Sequence, residues 1–401
     1  MAGNNANAGS DPAAPKRDLT NFDVNTLPAG ATVFFARGGV WLNFNQTLYN
    51  LNATPSAPIT FDAYTPASGG TAAPWLKTTS GAGWRFGVFG DVTADGGYTI
   101  RNLKLDGQGL ALTGLHLTYE VRNVTLENLE ITGWDIAVNS QDMGPTGNFG
   151  FTIRNSNIHH NRGMGYLGNS NGLLIEGNTF ANNNHVSGSS FQHAIYLSSR
   201  EDVPSRNATV RNNTFTNNSV NAVSGACTGG NITVHGKVEG LLIEGNTITE
   251  QRSEGGCFGI AINPSYSYAE WFRDVVVRGN KIVNLGFVGI GAASAPGILI
   301  EGNVIVNDQA TLQFGVLIPE RAPGAGDVVD GGAVVRNNTF FFPSPDPFSL
   351  PVDMRAGAGA TTVTGTLYST NAADFVEAPS ASNGWRCRVA SAAPNAGACT
   401  R

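Results

Sequence analysis

Lysine is scarce in this chain: only five of the 24 basic residues are Lys, and no run of Lys or Arg occurs. With a formal net charge of −6, that scarcity excludes a sequence-independent nucleic-acid binder, whose affinity comes from neutralising phosphates. No apolar run approaches the ~20 residues that a helix needs to cross a bilayer, so a soluble chain with neither membrane nor nucleic acid as partner is expected. Cysteine is limited to Cys227, Cys257, Cys387 and Cys399, at intervals that fit no C-x2-C metal site. No metal or other cofactor is therefore expected, with calcium left open. Charged residues make up 13% of the chain, about half the ~25% of an average domain, so long solvated helices are not to be expected either.

What is abundant is glycine, 51 residues, together with asparagine and short runs of β-branched residues. Turn formers separating short strand formers predict an all-β chain. The stretch "GLLIEGNTF" at 172–180 returns as "GLLIEGNTI" at 240–248 and "GILIEGNVI" at 297–305. Related words, "FTIRNSNI" from 151, "ATVRNNTF" from 208, "VVVRGNKI" from 275 and "AVVRNNTF" from 333, complete a ladder whose fixed residues read as Asn157, Asn178, Asn213, Asn246, Asn280, Asn303 and Asn338. Intervals of roughly 20 to 35 residues with period-two alternation suit one coil of a parallel β-helix rather than a helical repeat or a propeller blade. Weaker coils, "YTIRNLKL" from 98 and "VTLENLEI" from 124, place Lys104 and Glu130 at the Asn position. A residue that recurs once per coil is structural: stacked amides satisfy polar groups that the turn buries.

The coils resemble those of right-handed parallel β-helix proteins, the superfamily of pectate, alginate and chondroitin lyases, mannuronan epimerases, several glycosidase families and phage tailspikes. The words "RGGVW" (37–41) and "ATPSAPITFDAY" (53–64) resemble the first coils of secreted polysaccharide-active members. The resemblance implies a single-stranded right-handed parallel β-helix of about ten coils over residues 26–370. Residues 1–25 read as a disordered lead-in of an exported chain whose signal has been removed, and 371–401 as a C-terminal cap closed by a Cys387–Cys399 loop. A secreted or periplasmic location and a polysaccharide partner follow from the same resemblance, with oligomeric state open. The sequence departs from the named families in lacking a "DPHD", an "RxPxxR" and a calcium-holding Asp ladder.

Aligning the third strand of successive coils gives one outward column of His116, Ala137, Gly165, Tyr196, Thr233, Ala261, Gly289 and Leu317. The next holds Thr118, Asn139, Leu167, Ser198, His235, Asn263, Gly291, Pro319 and Asp353. Strands stacked ~4.8 Å apart make Tyr196 a neighbour of Thr233 and Ser198 a neighbour of His235, and bring Cys227 and Cys257 within bonding reach.

Chemistry concentrates there. Removing a proton alpha to a carboxylate needs a base, an acid for the leaving oxygen and a group that stabilises the enolate. His193 or His235 can serve as base, Tyr196 or Lys237 as acid, and Arg200 or Lys237 as neutraliser. His116, Asp135, Asn139, Asp202, Glu239, Asn263, Tyr266, Tyr268, Glu320 and Arg321 are the expected substrate contacts. Glycoside hydrolysis needs two suitably spaced carboxyl groups, drawn from Asp135, Asp142, Glu201, Asp202, Glu239, Glu270 and Asp353. The favoured expectation is an exported lyase acting on a uronate-containing glycan, with glycoside hydrolysis second and a noncatalytic carbohydrate-binding or adhesin solenoid third.

Overall fold

The computed structural model describes residues 3–88, 95–141, 144–184, 192–221, 223–227, 229–250, 256–309, 311–322, 324–343, 345–355, 357–370, 375–377 and 385–387. The chain divides into two compact units, Met1–Leu174 and Ile175–Arg401, each built from parallel sheets of short strands.

In the first unit, five strands form a first sheet: Thr32–Ala36, Ile59–Tyr64, Asp95–Arg101, Val121–Glu127 and Thr152–Arg154. A second sheet runs from Val40–Trp41 to Asn157–His159 and a third from Gln46–Leu48 to Met164–Gly168. Each coil contributes one strand to each sheet, so every strand pairs in parallel with the equivalent strand one coil away. Alternation puts Ile100, Leu126 and Ile153 inside, all fully buried. The first coils fill the interior with aromatics: Trp84 lies 4.8 Å from Phe44 and 4.7 Å from Phe61, centroid to centroid. Residues 3–23 form turns in which Asn5 holds Asp18 and the amide of Arg17.

The second unit repeats the plan seven times in its first sheet, from the strand beginning at Leu174 to Thr362–Thr364. Twelve coils are thus present among the described residues, two more than the ten or so expected. Its interior is mainly Ile and Val, each contributing about 1.5–3 kcal/mol on burial, with a stacked Phe180–Phe215 pair. The backbone of Phe375–Glu377 pairs antiparallel with Trp385–Cys387; the expected Cys387–Cys399 bond lies outside the described residues.

The Asn ladder is realised from Asn178 onward. Each side-chain amide donates to the next side-chain oxygen: Asn178 to Asn213 at 3.0 Å, Asn213 to Asn246 at 3.0 Å, Asn246 to Asn280 at 3.0 Å, Asn280 to Asn303 at 3.0 Å and Asn303 to Asn338 at 2.9 Å. The same oxygens accept backbone N–H groups, and the amides also reach carbonyls such as Val210 and Ile243. The earlier coils require a correction of one residue. Ser156, not Asn157, occupies the position, its Oγ accepting from Leu129 N at 3.1 Å, and Leu103 and Leu129 take the places read as Lys104 and Glu130. The marker is the residue just before, which adopts a positive φ at Asn102, Asn128, Asn155, Gly177, Asn212, Gly245, Gly279, Gly302 and Asn337.

Along the first sheet of the second unit the charges alternate: Arg211 pairs with Glu176 at 2.7 Å, Arg278 with Glu244, and Arg336 with Glu301 at 2.6 Å. Register places Glu244 next to both Arg211 and Arg278, and Glu301 next to both Arg278 and Arg336.

Candidate functional site

The site is built on the outward face of the third sheet in the second unit, on strands Ile195–Ser198, Gly230–His235, Phe258–Ile262, Val288–Ala292, Phe314–Ile318 and Leu350–Met354. Tyr196 stands opposite Thr233 and Ser198 opposite His235, as the spacing predicts. Beyond them the expected columns slip by two residues. Ala261 is followed by Gly291 and not Gly289, then by Leu317 and Asp353; in the first unit His116 pairs with Asn139 and not Ala137, and Asn139 with Leu167. A shift of two preserves which side chains face inward, so hydrophobic alternation cannot detect it.

His235 is the centre of the cluster. Its side chain is largely covered, and its Nδ1 lies 2.5 Å from the Asn263 carbonyl oxygen. A carbonyl only accepts, so Nδ1 carries the proton and Nε2 keeps its lone pair. Burial and the nearby Arg321 guanidinium push its pKa below the ordinary 6.5, which keeps the ring neutral. The rings of Tyr196 and Tyr266 meet it edge-on at 5.3 and 5.7 Å. Their hydroxyls are joined at 2.9 Å, and that of Tyr266 reaches Ser198 Oγ at 2.6 Å. Burial pushes the Tyr196 phenol far up, so it stays protonated and able to donate.

His193 sits 5.1 Å from Tyr196, ring to ring, but its Nδ1 accepts from Gly230 N at 2.9 Å and contacts Thr233 Oγ1 at 3.1 Å. Burial and the neighbouring His235 push it down to about 3. Its accepting nitrogen is turned into the neighbouring strand and is occupied there.

Two loops wall this face. The loop carrying Tyr266 and Tyr268 is pinned by Glu270, whose side chain is fully buried and accepts from the backbone N–H groups of Ser265 (2.5 Å), Tyr266 and Gly236. Gly236, the residue after His235, has φ +95, and a Cβ there would meet Ser199 Oγ at 2.3 Å; only glycine lets the strand turn so close. Tyr268 donates to the Ser199 carbonyl at 2.7 Å. The second loop is held by Arg321 and Asp327, 2.7 Å apart. Ser294 Oγ ties the two loops, donating to the Glu270 carbonyl at 2.7 Å and accepting from Val328 N at 2.8 Å. Glu270 entered the sequence reading only among the carboxyl groups for hydrolysis; its place before a strand, in a loop rich in Ser and Tyr, gave no sign of the N–H groups that it gathers.

Glu320 completes the cluster. Its Oε2 accepts from Asn263 Nδ2 at 2.6 Å, and burial pushes its carboxyl up to about 7. The same Asn263 thus orients His235 through its carbonyl and Glu320 through its amide.

Other expected residues lie elsewhere or are engaged. Arg200 is turned to Asp202 at 2.6 Å on an exposed surface, and Lys237 Nζ donates to the Glu201 carbonyl at 2.9 Å. Glu239 faces Arg206 on the first sheet at 3.2 Å, away from the third sheet's outward column. His116, Asp135 and Asn139 belong to the first unit, where Asp135 pairs with Arg162 at 2.7 Å. Asp142 lies outside the described residues. Cys227 and Cys257 form a disulfide with Cα atoms 5.0 Å apart. Among the described residues no group of three or more His, Cys, Asp or Glu side chains could hold a metal ion, and no helix is long and apolar enough to cross a membrane.

No functionally curated protein matches the chain. The family described as right handed beta helix region matches residues 87–257. Among solved structures, the chain is similar to the surface adhesin PfbA of Streptococcus pneumoniae, at 12% identity and TM-score 0.56 over 89% of this chain and 90% of that one. It is also similar to the Dettilon tailspike, at 14% and 0.53 over 84% and 63%, and to the GH136 lacto-N-biosidase of Eubacterium ramulus, at 15% and 0.51 over 84% and 66%. The chain thus spans less than two thirds of the length of the tailspike and the biosidase. At such identities the likeness is one of architecture, and the architecture is a right-handed parallel β-helix.

Proposed function

We propose that the protein is an exported enzyme that binds an acidic polysaccharide along the third sheet of the second unit and cleaves it by β-elimination at a uronate. A polysaccharide partner is supported by a fold shared with the GH136 lacto-N-biosidase, and export by the disulfide, which persists in oxidising compartments. The observation that carries the chemistry is the fixed tautomer of His235: with Nδ1–H held by the Asn263 carbonyl, Nε2 is a neutral base on the outward face, flanked by two phenols.

In the proposed reaction Nε2 of His235 takes the proton from the carbon alpha to the uronate carboxylate. The electron pair left behind forms the double bond as the bond from the β carbon to the glycosidic oxygen breaks. That oxygen takes a proton from Tyr196, whose hydroxyl is refilled through Tyr266 and Ser198. Base and acid then stand on one face of the sheet, within about one strand spacing of each other.

Glycoside hydrolysis has one observation in its favour, the raised Glu320 carboxyl, which suits a general acid. The carboxylate that register brings closest to its strand, Asp353, is bonded to Arg355 at 3.0 Å. The two reactions separate in one assay on a panel of acidic and neutral polysaccharides. Ultraviolet absorbance of an unsaturated uronate that rises with the reducing ends supports elimination. Reducing ends without absorbance would move the assignment to Glu320, and binding without either product would leave a noncatalytic adhesin.

A further inference from the structure

We propose that Glu320 recognises the substrate's carboxylate as a carboxylic acid, so that the subsite beside His235 takes a free uronate together with one proton. The inference rests on the uronate reading above and names the group that meets the acid function.

The geometry is specific. The Glu320 carboxyl folds back over the outward face of the third sheet, above Gly291, where a Cβ would come within 2.6 Å of Oε2. Its Oε2 is held by Asn263 Nδ2, and Oε1 makes no hydrogen bond among the described residues. Among the described residues no cation forms an ion pair with it. Arg321, the adjacent residue, is committed to Asp327 and to the Ala322 carbonyl at 3.0 Å. Arg355, on the neighbouring strand's end, is committed to Asp353 and touches only the Glu320 backbone carbonyl, at 3.4 Å. Across Asn263 stand His235, held neutral, and Glu270, saturated by three backbone donors.

A covered carboxyl with no cation to pair it is stable as the acid. An acid needs an acceptor for its O–H, and a uronate carboxylate supplies one in a short, charge-assisted hydrogen bond. An ionised Glu320 would instead repel that carboxylate, so binding and protonation are coupled. The same O–H stabilises the enolate as charge moves onto the carboxylate oxygens during proton abstraction, a task expected from the sequence of Arg200 or Lys237, both of which are engaged elsewhere.

The test is calorimetric titration of the His235→Ala protein, which cannot turn ligand over, with saturated trimers of galacturonate, mannuronate, guluronate and glucuronate. Measurements at pH 8 in two buffers of different ionisation heat count the protons taken up. The expected result for at least one trimer is close to one proton bound per ligand and an affinity falling about tenfold per pH unit above 7. Adding Glu320→Gln, whose amide also donates, should remove the uptake and flatten the pH dependence. Binding with no proton uptake, an unchanged pH dependence in the Glu320→Gln protein, or failure of every acidic trimer to bind would each overturn the proposal. Absence of unsaturated product from the unmodified enzyme would sink the elimination reading while leaving this proton count standing.

Discussion

Two walls of the same solenoid use polar side chains in opposite ways. At the turn lined by Asn178 to Asn338, every coil presents the same amide, and each amide is satisfied by its neighbours above and below. On the outward third sheet no two successive coils present the same group: Tyr196, Thr233, Ala261, Gly291 and Leu317 follow one another in register. Polar groups that saturate each other make structure. Groups such as His235 Nε2 and Glu320 Oε1, which have no partner among the described residues, are what a ligand can use.

The sharpest way to break this comparison is to remove one group from each wall. His235→Ala should lower the elimination rate by about 10²–10⁴-fold, the usual worth of a general base, with little change in the melting temperature. Loss of cooperative unfolding in that variant, or a rate within a few-fold of the parent, would contradict the assignment. Asn246→Ala should do the converse. It leaves Asn213 N without its acceptor and removes one bond each from Asn213 Nδ2, Asn280 Oδ1 and the Val210 carbonyl, so at about 1–3 kcal/mol for a buried group left unpaired and less for each group that keeps another partner, a loss of about 2–4 kcal/mol is expected. Chemical denaturation measures it, and the rate per folded molecule should stay the same.

Smaller effects sharpen the third-sheet side. Tyr266→Phe leaves the ring against His235 but cuts the hydroxyl chain from Ser198 to Tyr196, so a drop of about tenfold in kcat with KM nearly unchanged is expected. A solvent isotope effect should grow if proton supply has become limiting. The pH profile should be wider than that of a free imidazole and a free carboxylic acid working together, its acid limb moved down and its alkaline limb moved up. His235 is pushed below 6.5 and so remains a base as pH falls through that value, while Glu320, at about 7, loses its proton as pH rises. Activity should therefore decline above about pH 7, and Glu320→Gln should flatten that alkaline limb alone.

Much of the architecture is legible because a repeat multiplies each weak signal. Alternation and turn residues foretell the sheets, the pairing of Tyr196 with Thr233 and Ser198 with His235, and the Cys227–Cys257 bond. Phase is harder. Asn157 and Ser156 are both small and polar, so composition does not separate them; the left-handed residue at Asn155, equivalent to Gly177 and Gly245, fixes the phase. The columns slipped by two at Gly289 and at Ala137 because glycine and alanine carry no contact that distinguishes one outward position from the next. In the site, His193, His235 and Tyr196 announce themselves by residue type, whereas the work of Asn263, Glu270 and Glu320 depends on loops that fold back from later coils. Arg200 and Lys237 attracted attention by charge, yet charge says nothing of whether a nearer partner has claimed it.

The alternating Glu and Arg rungs on the first sheet carry a rule of parity. Losing the single coil that bears Glu244 would set Arg211 beside Arg278, like charge on like, at the spacing of adjacent strands. Losing two successive coils would set Arg211 beside Glu301 and preserve the alternation. The asparagine turn is indifferent to the number of coils, but on this face a change by pairs keeps every rung matched, while a single step inside the ladder leaves one like-charge contact.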